Sequence, residues 1–301
     1  MPAPEMAIVA SMTVALAQAV GRDDHGPYRQ VSFSRDELRE IRYAGLLHDF
    51  GKVGVREQVL VKAKKLYPPD LSLIRGRYAF IRRSAEAEYH RARADFLADR
   101  GRDGYDAFLA QLDAKYKVER EALEHFLRTV LQANEPTVLP EGSFEELLAY
   151  AEKHFPDIEG QPQPYLSDDE VRFLTIRKGS LDEAERLEIE SHVTHTYRFL
   201  LQIPWTKELA QIPLIAYGHH EKLNGSGYPR KVAAREIPIQ TRMMTISDIF
   251  DALTAADRPY KRAVPLQKAL DIMHEEVTSG MLDVELLRAF TEGKVFERVA
   301  G

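Results

Sequence analysis

An all-α fold is what this 301-residue sequence predicts, and three observations carry the prediction. Apolar residues recur at helical spacing along most of the chain, while runs of strict alternation are few. Ser-x-x-Glu segments, in which a hydroxyl and a carboxylate satisfy free backbone donors, stand at Ser34–Glu37, Ser167–Glu170 and Ser180–Glu183. Glycine and proline cluster between the periodic runs, where helices have to stop.

Taken in order, residues 6–20 form a small-residue apolar run ending in Ala-Gln-Ala, an imitation of a signal-peptide cleavage site. Its flank carries Glu5 and no Lys or Arg, so the expectation is a helix packed on the core. Ser34 launches Leu38, Ile41, Tyr43, Leu46 and Leu47 along one helix, which Gly51 can end. From about 70 to 132 the chain is dense in balanced charge. Apolar residues at helical spacing (Leu71, Ile74, Tyr78, Ile81, then Phe108, Leu112, Tyr116, Leu123, Leu127) predict a helical hairpin or short coiled coil broken near Gly101–Gly104. A loop through Asn134–Gly142, a short helix to His154 and a Pro-rich stretch from Pro156 to Pro164 lead back to the main body. Ser167 opens the next helix, and Ser180 a longer one through Leu201 that Ile203-Pro204 stops. Residues 210–222 and 238–256 read as two more helices around the turn-rich Asn224–Pro229. Residues 1–66 and 165–301 are thus expected to form a helical core, and 67–164 an inserted arm.

The formal net charge of −6 gives no footprint for a DNA or RNA polymer, and no stretch resembles a membrane span, so a cytoplasmic protein is expected. The chain has no cysteine. Any metal must therefore be held by imidazole and carboxylate.

Five polar clusters sit where a bland helical protein would place apolar residues: His48-Asp49 with Lys52, Glu190 with His192 and His195, His219-His220-Glu221, Ser247-Asp248 with Asp251, and Asp257-Arg-Pro-Tyr-Lys-Arg262. A lone buried His is more often a hydrogen-bonded core residue than a ligand. An adjacent Asp and a nearby Lys change that balance, because burying such charges unpaired costs several kcal/mol.

In order along the chain, His-Asp-x-Gly-Lys, a later His, His-His-Glu with Gly-Tyr-Pro, Ser-Asp-x-x-Asp-Ala-Leu and Arg-Pro-Tyr closely resemble the HD-GYP family. Its members are all-helical phosphodiesterases of the HD superfamily that hydrolyse cyclic di-GMP, and the resemblance covers roughly residues 35–66 and 165–290. It implies an HD-superfamily helical bundle with metal ligands at His48, Asp49, His192, His219, His220 and Asp248. Asp49 would bridge two divalent metal ions, iron or manganese in preference to zinc. It also implies attack of a metal-bridging hydroxide on phosphorus, with Lys52 acting on the transition state. Tyr228, Arg258 and Lys261 would meet the substrate.

One departure concerns a His that many family members carry about thirty residues before the His-Asp pair. Here His25 lies off that register beside a Gly-Pro turn, so two metals are expected and not a third. His195 receives no ligand role. The charged arm is expected to serve a homodimer contact or a partner protein. Two rival classes stand beside the enzyme reading: a non-catalytic module that binds a nucleotide or a protein, and a phosphohydrolase of another nucleotide. Family members often follow a sensor domain, and none is visible in these residues.

Overall fold

The first apolar run is a helix with one deeply buried face. In α1 (Pro4–Val20), Val9, Met12, Thr13, Leu16, Ala17 and Val20 are each no more than 2% exposed. Residues 4–255 and 263–298 are those described by the computed structural model. Helix α2 (Arg35–Leu47) starts on the Ser34–Glu37 capping box and crosses α1 at Gly45, where a Cβ would lie 2.7 Å from the Cα of Ala10. Glycine allows the two backbones to approach this closely. A 3₁₀ turn, Phe50–Gly54, and the one-turn α3 (Glu57–Leu60) follow.

Chain contacts divide the molecule into two units, Met1–Val61 with Glu185–Gly301 and Lys62–Ala184. In the second unit α4 (Pro68–Arg100) and α5 (Tyr105–Ala133) run antiparallel, joined through Gly101 and Gly104, both at positive φ. Stacked pairs mark their seam, with ring centroids 4.2 Å apart for Phe96–Phe108 and 4.8 Å for Tyr89–Tyr116. After α6 (Ser143–Ala151), the Pro-rich return forms a small antiparallel pair, β1 (His154–Pro156) with β2 (Pro162–Pro164), which the sequence did not announce. Helix α7 (Asp168–Leu174) uses its Ser167–Glu170 capping box as expected.

The division falls at 61/62 and 184/185 instead of at 66/67 and 164/165. Leu166 and Leu174 bury against Phe126, Leu147 and Tyr150, and Arg77 of α4 makes a two-pronged ion pair with Glu170, so residues 165–184 pack with the arm.

Back in the first unit, α8 (Glu183–Leu200) is followed by α9 (Ile212–Tyr217), α10 (Ile239–Thr254), α11 (Leu266–Thr278) and α12 (Val284–Glu292). Ser180 does not cap α8; its hydroxyl donates to the Lys62 carbonyl instead, at 2.8 Å. Helix α9 ends at Tyr217, well short of the expected 222. One apolar cluster joins Met12, Leu16, Ile41, Ile246, Phe250, Leu286 and Phe290; a second joins Val9, Ala44, Leu200, Ile212 and Met244. Each such buried side chain contributes about 1.5–3 kcal/mol, enough in sum to hold polar residues rigidly inside the same bundle.

Candidate metal centre

Three histidines are anchored by one device. The Nδ1 of His48 lies 2.7 Å from the Gly45 carbonyl, that of His192 2.5 Å from Ile189, and that of His219 2.6 Å from Ala216. In each case the carbonyl belongs to the residue three positions earlier. A carbonyl can only accept, so each Nδ1 carries the proton and each Nε2 presents its lone pair. These three Nε2 atoms, together with Asp49 Oδ1, are buried and have no hydrogen-bond partner among the described residues. Buried polar groups are rarely left unmet. Four in one place call for a cation.

The lone pairs converge. His192 Nε2 is 3.2 Å and His219 Nε2 3.9 Å from Asp49 Oδ1, while His48 Nε2 is 3.4 Å from Asp49 Oδ2 and 3.6 Å from Asp248 Oδ1. His220 Nδ1 faces Asp248 Oδ2 at 3.9 Å. Two groups with ligand geometry result, Asp49-His192-His219-His220 and His48-Asp49-Asp248, and Asp49 belongs to both. Donors about 2.0–2.2 Å from a shared ion sit about 3–3.5 Å from one another, so the spacing fits metal ions with little adjustment. Nitrogen with carboxylate oxygen suits first-row divalent ions, and the donor set by itself does not choose among iron, manganese and zinc.

The electrostatics agree. Burial pulls the His48 imidazolium down, yet the Asp49 and Asp248 carboxylates together outweigh it and raise its pKa to about 9. Burial, and then the neighbouring imidazoles, push His219 well below its ordinary value. Burial likewise takes His220 down to about 4, against the pull of Asp248. Burial acts to raise both carboxylates, but His48 and the other cations around them hold Asp49 and Asp248 below the usual range. The pocket thus sets two anionic carboxylates beside the neutral His219 and His220, and His48 keeps its proton until a divalent cation displaces it.

Profile comparison finds an HD domain over residues 169–286. The chain is 46% identical over 105 residues to the 3′3′-cGAMP-specific phosphodiesterase 3 of Vibrio cholerae, a match covering 35% of this chain and 22% of that protein. It is 31% identical over 129 residues to the cyclic di-GMP phosphodiesterase response regulator RpfG of Xanthomonas campestris, covering 42% and 33%. A cyclic di-GMP phosphodiesterase of Thermotoga maritima matches at 33% over 118 residues, covering 39% and 31%. The HD-domain match and these relatives support a member of the HD-GYP family. It spans between about a fifth and a third of the length of these relatives.

Within this helical bundle, all six residues named as ligands from the sequence come together. Lys52 stands beside them, its Nζ 2.6 Å from Asp49 Oδ2. Tyr228 lays its ring on His220 at 4.8 Å, and burial, then Glu190, raises its phenol pKa, so it stays neutral. Arg258 and Lys261 lie outside the described residues. His195 is exposed on α8, where its ring lies over Gly54. His25 is exposed too, and groups with Asp23 and Asp24, not with the six.

Four further residues build the site; the sequence reading gave Gly51 only a helix stop and Glu221 only a place in the His-His-Glu motif, and gave Thr196 and Thr245 no role. The Gly51 N–H donates to Thr196 Oγ1 at 2.8 Å, and a Cβ on Gly51 would fall 2.0 Å from the His192 carbonyl oxygen. The His-Asp turn therefore touches α8 backbone to backbone. Thr245 Oγ1 donates to the His219 carbonyl at 2.8 Å and so holds the His-His turn on α10, one turn before Asp248. Glu221 is 2% exposed and accepts from the backbone of the loop that follows it.

Proposed function

We propose that this chain is a metal-dependent phosphodiesterase of cyclic dinucleotides, acting on cyclic di-GMP in the cytoplasm. The observation that carries the reading is the convergence of three buried imidazole nitrogens on two carboxylates, of which Asp49 belongs to both ligand groups. The relatives' names supply the substrate class: they act on cyclic di-GMP and 3′3′-cGAMP. His192, His219, His220 and Asp49 would hold one divalent ion, and His48, Asp248 and Asp49 a second, iron or manganese. Such ions would supply an activated water and neutralise charge on the phosphoryl oxygens.

The remaining work falls to this chain's own side chains. Lys52, a cation within 2.6 Å of Asp49, is suited to meet charge that builds on the non-bridging oxygens. Tyr228, neutral and with its ring tilted against His220, shapes one wall and offers a donor without adding charge. Arg258 and Lys261 are assigned to substrate by resemblance. With water as the nucleophile, no covalent enzyme intermediate is expected.

A second substrate, 3′3′-cGAMP, is favoured by three relatives named for it, at 46%, 38% and 40% identity. Protein purified without oxygen, assayed for metal and given both dinucleotides side by side, tests the reading. Metal-dependent release of linear dinucleotide or GMP supports it, and the faster substrate decides between the two. Tight dinucleotide binding without metal or turnover would instead support a non-catalytic signalling module. The 67–164 arm is assigned to contact with a second copy or a partner protein; light scattering showing a monomer that captures no partner would remove that assignment.

A further inference from the structure

Glu221 is an acidic residue sealed inside the protein next to the site, yet it does not join the metal groups. Both of its oxygens are engaged elsewhere. Oε1 accepts from the Arg230 N–H at 2.7 Å, and Oε2 from the Val232 N–H at 3.2 Å. Among the described residues it forms no ion pair with a cationic side chain. A buried carboxyl group needs hydrogen-bond partners, and these two backbone amides supply them. Glu221 therefore ties the loop it precedes at two points, Arg230 and Val232.

That loop is tied at other points as well. Asn224 Oδ1 accepts from both the backbone and the hydroxyl of Ser226, and Leu223 N–H donates to the Met281 carbonyl at 3.0 Å. At Gly227 the chain folds back on residues 220–222, so a Cβ there would lie 2.4 Å from Lys222 N and 2.5 Å from the His220 carbonyl oxygen. The next residue, Tyr228, donates its N–H to that same carbonyl at 3.3 Å and places its ring on the His220 imidazole. Two residues further on, the Arg230 guanidinium stands over Tyr217 at 5.4 Å, and Tyr217 stacks on Tyr197 at 4.1 Å. Without the Glu221 bonds, Tyr228 and Arg230 are left, among the described residues, with the 3.3 Å hydrogen bond and the two aromatic contacts just given.

We infer that Glu221 is a positioning residue, which fastens residues 222–232 so that Tyr228 and Arg230 meet the nucleotide in one fixed arrangement. The inference rests on the phosphodiesterase reading above. It differs from a ligand role, because both oxygens point at amides, and from a purely structural role, because the segment it fastens is the one that carries Tyr228.

The test compares wild type with Glu221→Gln, Glu221→Ala and Gly227→Ala, each measured for metal content, melting temperature, kcat, KM and amide exchange. Glu221→Ala should keep its metal, speed exchange at Arg230 and Val232, and raise KM about tenfold, within the hundredfold range that a misplacement of about 1 Å costs. Glu221→Gln should fall between, since its amide oxygen can still accept from Arg230 while its NH₂ faces the Val232 donor. Gly227→Ala disturbs the loop by a separate route and should show the same rise in KM. If the Glu221 variants melt lower but keep the wild-type KM, the positioning role is overturned while the enzyme reading stands. If they lose metal in proportion to activity, Glu221 acts on the ligands and the inference is likewise overturned. Wild-type protein that neither binds nor cleaves a cyclic dinucleotide overturns the functional reading, and the positioning role with it.

Discussion

Gly51 is where the fold and the site are most tightly joined, and Gly51→Ala tests that joint. The added Cβ would sit 2.0 Å from the His192 carbonyl oxygen, 2.6 Å from Thr196 N and 2.8 Å from Thr196 Oγ1. Two of these three atoms are backbone within α8 and cannot rotate away. Relief to ordinary contact requires the turn to retreat by about 1.5 Å, which breaks the 2.8 Å bond from Gly51 N–H to Thr196. Overpacking of this kind costs about 1–3 kcal/mol, and a lost buried hydrogen bond about 1 more. A loss of about 2–4 kcal/mol lowers the melting temperature by about 4–16 °C in a domain of this size.

The same retreat carries Asp49 away from His192, whose 3.2 Å separation closes the first metal group. Turnover should fall by about a hundredfold or more, with metal content falling too. Thermal melting and elemental analysis on one preparation read both effects. Gly54→Ala is the matched control: its nearest neighbour, at 2.9 Å, is the Nδ1 of the exposed and rotatable His195, so its cost should stay within about 0.5 kcal/mol. Should Gly51→Ala melt within a degree or so of wild type and keep its metal, the contact argued here does not position the site.

Asp49→Ala should release metal from both groups, since that carboxylate is the member they share; retention of half the metal would put the bridge elsewhere. Lys52→Ala should keep metal and fold but lower kcat about a hundredfold, the scale of losing one transition-state donor. A lower melting point with unchanged kcat would mean that Lys52 only supports Asp49. Tyr28 gives a pH prediction. Burial, then its bond to Asp283, raises the phenol pKa to about 12 from an ordinary 10.0, so the folded state favours the neutral form. Its stabilisation is whole below about pH 10 and is lost as pH rises through about 12, worth about 1 kcal/mol once its partial exposure is discounted. Tyr28→Phe should flatten that part of the stability profile; equal alkaline slopes in urea unfolding would show that Tyr28 does not contribute.

Much of this was legible in the sequence. The capping boxes at Ser34 and Ser167 fall where expected because their chemistry is local, requiring only a hydroxyl and a carboxylate three residues apart. The hairpin of α4 and α5 was readable for the same reason, from apolar spacing interrupted by glycine. Ser180 misled, because its hydroxyl found the Lys62 carbonyl, a partner 118 residues away that no local pattern encodes. The allegiance of residues 165–184 was hidden likewise: Leu166 and Leu174 are apolar enough for either unit, and only the Phe126–Tyr150 surface decides. The six convergent residues were found through their order along the chain. Gly51, Thr196, Thr245 and Glu221 were not, since each acts through the backbone of a distant segment.

The early end of α9 has a chemical reason. Consecutive helical residues point about 100° apart, so a helix continued to 222 would aim His219 and His220 at different neighbours. Stopping at Tyr217 puts both in a turn, where their rings lie 4.1 Å apart and reach the same centre. The stop leaves helix-end carbonyls without intrahelical partners, and His219 Nδ1–H bonds one of them, that of Ala216. His48 does the same with Gly45 where α2 ends. One hydrogen bond thereby satisfies a free carbonyl and fixes the tautomer that leaves Nε2 open. Two helix C-termini, each carrying partial negative charge, are turned towards a space that already holds the Asp49 and Asp248 carboxylates. Helix ends, carboxylates and imidazole lone pairs favour positive charge at that point, and Lys52, at 38% side-chain exposure, is the only lysine in contact with the six residues among those described. A buried centre of this polarity is stable in the folded chain when cations occupy it, which ties metal loading to the packing of α2, α8 and α10 around it.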